Sequence, residues 1–192
     1  GNSKLMESSL RALLARNPDH YQQYQNEGLA LYQKGDLAAA EASFRKGIQR
    51  RRHPILLNNL ASIILERAGD LQEAMDLVDE ALRRQPGHGG MLATRAEIYL
   101  KMGRYEEARR DLQEALRKQG RNLRLLLFLA QSYEGLGDRT RALAVAKALA
   151  RQPYQLDADQ KMRVKEMLLR LRENPEGTAE SNGSAKKEAI AR

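Results

Sequence analysis

The residues best suited to acid–base or metal chemistry in this chain are three histidines, His20, His53 and His88, each at a junction between helix pairs. Zinc ligands must come within about 2.1 Å of one ion, and packed helices already stand about 8 to 10 Å apart, so histidines separated by a helix pair cannot share a metal. The sequence contains no cysteine, which excludes disulfides, thiolate metal sites and a cysteine nucleophile. Ser43 and Ser132 have no histidine at motif spacing, and the glycines are spread along the chain rather than gathered into a phosphate-cradling loop. A non-catalytic role without a cofactor is therefore expected.

Charge offers a second chemistry. The net charge is +8, with Arg45, Lys46, Arg50, Arg51 and Arg52 in one cluster and Arg109, Arg110, Arg117, Lys118, Arg121 and Arg124 in another. Such clusters suit nucleic acid or an acidic partner. Against that, cations at helix C-termini complement the macrodipole, and here they alternate with Glu106, Glu107 and Glu114 as a solvated face. Single-strand binders also interleave aromatic platforms with their charges, whereas these tyrosines fall mostly in core or turn positions. RNA binding through basic helix ends is the alternative reading, and protein recognition the first.

The elements that position these residues repeat. Gly35, Gly69, Gly103 and Gly137 recur every 34 residues, as do Ala40, Ala74, Ala108 and Ala142. Small residues recur at Gly28, Ser62, Ala96 and Ala130, with large ones three later at Leu31, Leu65, Tyr99 and Tyr133. This period marks stacked helix-turn-helix units, each burying its apolar face on its neighbours. Small residues let two antiparallel helices approach, and the large ones fill the seam. The four glycines are predicted to end the first helix of each pair in a left-handed conformation. Asp36, Asp70 and Asp138 then cap the second helix, Asp70 and Glu73 as a capping box.

On these residues the chain resembles the tetratricopeptide repeat family. Ser62, Leu65, Gly69, Ala74, Val78, Ala81 and Pro86 reproduce the whole pattern within one repeat. The first repeat departs from it at Gly47 and Arg52, the third at Gly120, and the fourth places Pro153 one position early. The resemblance covers residues 21 to 156 and implies an all-α, right-handed α-α superhelix of four repeats, at 21–54, 55–88, 89–122 and 123–156. Run backwards, the register gives residues 1–20 an N-terminal helix like the second half of a preceding repeat, with Leu10, Leu13, Leu14 and Pro18 in place. Asp157 and Gln160 read as a capping box opening a C-terminal capping helix over 157–173, and the Gly-, Ser- and Lys-rich residues 174–192 are expected to be disordered.

In this family the first helices line a concave groove. The resemblance thus implies a protein-binding scaffold or adaptor that holds a peptide or helix against Gln25, Leu29, Tyr32, Asn59, Ile63, Glu66, Glu97, Leu100, Arg124, Leu127 and Gln131. Glutamate at Ile63 or Leu127 is then expected to abolish binding and spare the fold. The lysine, arginine and asparagine clamp by which some members grip acidic chaperone C-termini is absent, since only Arg124 supplies a cation at its positions. Glu27 and Arg95 stand in a column otherwise held by Ala61 and Leu129, and are expected to be paired or to reach solvent.

No apolar run approaches the roughly 18 residues that span a membrane. A start in mid-repeat without methionine suggests a segment of a longer protein, so an accessory module of a membrane-anchored or catalytic protein is a further alternative. The terminal helices offer surfaces for self-association. Compartment and partner identity are left open.

Overall fold

The computed structural model describes residues 21–173; the expected N-terminal helix within residues 1–20 and the tail 174–192 lie outside them. The described residues form helices α1 (Tyr21–Gln33), α2 (Leu37–Arg50), α3 (Pro54–Glu66), α4 (Leu71–Arg84), α5 (Gly89–Lys101), α6 (Tyr105–Gln119), α7 (Leu123–Gly135), α8 (Arg139–Ala150) and α9 (Ala158–Glu173), with a 3₁₀ turn at Pro153–Gln155. No strand occurs among them. The chain divides into two compact units, Gly1–Ile98 and Tyr99–Arg192.

In the first unit α1 packs on α2, α3 on α4, and α2 on α3. Small residues set the approach. A Cβ on Gly28 would stand 2.3 Å from the buried Phe44 ring, and one on Gly47 would stand 2.6 Å from Tyr24 Cβ and 2.8 Å from Leu56 Cδ1. Gly47, a departure from the repeat pattern, is thus what lets α2 lie against α1 and α3 together. In the second unit α7 packs on α8, α6 on α7, and α9 on α8. Here Gly135 receives the Tyr105 ring, with 2.4 Å from its would-be Cβ to Cδ1. The alanine column Ala40, Ala74, Ala108 and Ala142 is fully buried in both.

Caps begin the helices largely as the sequence indicates. The Asp36 and Asp138 carboxylates accept from Ala39 and Arg141 N–H, and Asp70 from Gln72 and Glu73 N–H. Each such cap contributes about 1 kcal/mol. The expected box at Asp70 keeps only this half, because the Glu73 carboxylate is taken by Arg45. At α9 the box is complete: Gln160 N–H donates to Asp157 Oδ1 and Asp157 N–H to Gln160 Oε1, at 2.8 and 3.2 Å.

The turns follow the 34-residue beat except once. Gly35, Gly103 and Gly137 have φ of 79°, 71° and 76°. In the second hairpin the left-handed residue is Ala68, with φ of 52°, and not Gly69. The reason lies in the helix end. Asp36, Arg104 and Asp138 N–H reach back to Leu31, Tyr99 and Tyr133 carbonyls, but in the second hairpin Gly69 N–H reaches Ile64, so the turn closes one residue early.

Candidate functional site

The first helices carry the implied partner-binding residues. On α1, Gln25, Leu29 and Tyr32 share one face by helical spacing. Leu29 and Tyr32 are 39% and 40% exposed, and Gln25 is half-buried one turn before Leu29. On α3 and α5, Asn59 and Glu97 are half-buried and Glu66 is exposed. Ile63 is not available. It is 3% exposed and belongs to the core of the first unit, which corrects its placement in a groove.

In the second unit Leu127 is likewise core, at 1% exposure. Register alone placed both residues on an open face, but it does not say what packs over that face. Arg124 is exposed and its guanidinium lies 5.3 Å from the Phe128 ring centroid, while Leu100 and Gln131 are half-buried. Glu134, two turns beyond Leu127, is engaged by Arg170 of α9 at 3.0 and 3.2 Å.

Glu27 and Arg95 are both paired, each with a second helix. Ser43 Oγ donates to Glu27 Oε2 at 2.8 Å, and Arg95 Nη1 donates to Asp79 Oδ1 at 2.9 Å. Between α3 and α5 the hydroxyls of Ser62 and Thr94 lie 3.3 Å apart.

The second helices carry most of the basic clusters, and carboxylates answer them. Between α2 and α4 lies a cleft of about 620 Å³ whose walls include Arg45, Arg52, Glu73 and Glu80. Arg45 binds Glu73 at 2.6 Å and Glu41 at 2.8 Å, and Arg52 binds Glu80 at 2.5 Å. Glu41 also takes Arg67. Hydrogen bonding from Arg52, with Arg84 nearby, holds the Glu80 carboxyl below the usual carboxylate range. On α6, Arg109 and Arg110 share Glu106, and Arg117 and Lys118 share Glu114. The Arg109 hydrogen bond, chiefly, lowers the Glu106 carboxyl to about 2. These i→i+28 and i→i+3 pairs turn the ridges into mixed-charge surfaces.

His53 is an N-cap. Its Nδ1 accepts from Ile55 N–H at 3.3 Å while its ring stacks on Tyr21, centroids 3.4 Å apart. Burial, reinforced by Arg51 and Arg84, pushes its pKa down. Among the described residues no helix is long and apolar enough to cross a membrane.

Two family models described as the tetratricopeptide repeat match the chain, one at residues 65–110 and the other at 7–54 and 94–156. No curated protein sequence matches it. Among solved structures, TTC0263, a thermophilic TPR protein of Thermus thermophilus, is 20% identical over 88% of this chain and 97% of its own, with a TM-score of 0.67. MamA of Desulfovibrio magneticus RS-1 is 15% identical over 83% and 97%, at 0.59. The O-GlcNAc transferase of Thermobaculum terrenum is 19% identical over 69% of this chain but only 26% of that enzyme, at 0.63. At these identities the likeness is one of fold.

Proposed function

This chain belongs to the tetratricopeptide repeat family, and from that premise we propose that it is a non-catalytic scaffold holding a helix or extended segment of a partner protein on the first helices of its repeats. The observation that carries this reading is the pair Leu29 and Tyr32, large apolar side chains left exposed on one face of α1 with the Gln25 amide a turn away. Apolar anchors dock into or onto such a face, and amides bond the partner's backbone. Asn59, Glu66 and Glu97 supply further polar contacts on the first helices of the first unit; in the second unit Arg124 and Gln131 offer polar contacts and Leu100 an apolar one. The carboxylates paired with Arg45, Arg52, Arg109 and Arg117 support protein over nucleic acid as the partner, because cations already neutralised release few counterions from a phosphate backbone.

The test is binding of peptides selected by display on the intact chain, measured by fluorescence anisotropy against the variant L29E/Y32E and against single-stranded RNA over a salt series. Peptide binding that the variant loses at unchanged melting temperature supports the reading. RNA binding that falls steeply with salt, with no selectable peptide, would replace it.

A further inference from the structure

A second surface lies in the other unit, where α8 ends and α9 runs past it. There a groove of about 430 Å³ has a floor that includes Leu156, Val164 and Leu168 and a rim of Lys161, Lys165 and Arg172, with no carboxylate on its lining. Lys161, Lys165, Leu168 and Arg172 follow one another at i, i+4, i+7 and i+11, so the cations form a row along one side of α9 about 16 Å long. None of the three is in an ion pair among the described residues, whereas the neighbouring Arg163 and Arg170 are held by Asp159 and Glu134. Leu169 beside the groove is 46% exposed.

We propose that this groove docks an acidic amphipathic helix of a partner protein, whose apolar stripe fills the floor and whose carboxylates meet Lys161, Lys165 and Arg172. Charge complementarity selects this occupant. A second copy of the chain, at net +8, would bring like charge to a cationic rim. The chain's own residues 174–192 contain only Ile190 as a large apolar residue and could not fill the floor. The concave form of the site also suits a rod-shaped segment better than a flat lipid surface.

The probe is a synthetic amphipathic helix with a leucine stripe flanked by glutamates, beside a twin with lysines in their place. With the full chain, anisotropy should show the acidic peptide binding at least about 10-fold tighter than its twin, and less tightly as salt rises. The charge-swapped variant K161E/K165E/R172E, all three positions lying on the solvated rim, should reverse the order, and Leu169→Glu should weaken the acidic peptide about 10-fold. L29E/Y32E should bind it as the unaltered chain does, since that face is a different site. Circular dichroism confirms that each variant is folded. Equal binding of the two peptides, a swapped variant that keeps the original preference, or no binding to the unaltered chain would each overturn the proposal.

Discussion

The Phe44 ring lies directly over the bare Cα of Gly28, so that a Cβ there would stand 2.3 Å from Cε1 and 2.5 Å from Cζ. Phe44 is 1% exposed, so its ring is enclosed by protein rather than free to swing into solvent. Alanine is the better helix former by about 1 kcal/mol, yet overpacking a closed seam costs about 1 to 3 kcal/mol. Gly28→Ala should therefore lower stability by about 1 kcal/mol in urea unfolding. An increase would mean that the seam between α1 and α2 is looser than the geometry states.

Ala68 gives the opposite expectation. It holds a left-handed backbone that costs a residue with a Cβ about 1 to 2 kcal/mol, and it is exposed, so its methyl contributes little packing. Ala68→Gly removes that cost against about 0.5 to 1 kcal/mol of added chain entropy, for a net gain of up to about 1.5 kcal/mol. A rise in melting temperature is the expected reading.

Ile63 and Leu127 separate core from contact surface. Glutamate at either site places a carboxylate where 3% or less of the side chain meets water, and should cost several kcal/mol and unfold its unit. Leu29→Glu should change stability by no more than about 0.5 kcal/mol. Circular dichroism melts of the three variants check both halves. A folded, stable I63E would restore that residue to the open face.

His53 gives stability a slope with pH. Its folded pKa lies below the unfolded value of about 6.5, so the neutral ring is the form that folding favours. The contribution is fully present above that pH and is lost as pH falls through the folded value, where a protonated Nδ1 could no longer accept from Ile55 N–H. His53→Asn keeps a cap that does not titrate and should flatten the melting temperature between pH 7 and about pH 5. A slope left intact by that variant would assign the titration elsewhere.

The sequence made the repeats legible because the constraints that produce them are local and recur. Fully buried Ala40, Ala74, Ala108 and Ala142, and the left-handed Gly35, Gly103 and Gly137, each follow from one residue type at one beat. What it concealed depends on neighbours in space. The early turn at Ala68 comes from which carbonyl Gly69 N–H finds, and the need for glycine at position 47 from two helices converging on it. Burial of Ile63 and Leu127 is of the same kind, as is the open groove beside Leu168, since a helical face is identical in sequence whether or not something lies across it.

The two arginine–glutamate rungs on α4, one from Arg45 of α2 and one from Arg52 in the link that follows it, have a further effect. Arg45 and Arg52 are seven residues apart, as are Glu73 and Glu80, so the two rungs close together when α4 is aligned with α2 and with the link that leaves it. Sliding α4 by a single turn would bring Leu77 to Arg45 and set Arg84 against Arg52, like charge on like. Exposed pairs of this sort add little strength, about 1 kcal/mol or less each. Their use is as a key: they penalise every misaligned docking of one hairpin on the next, and so fix the pitch at which the first unit is stacked.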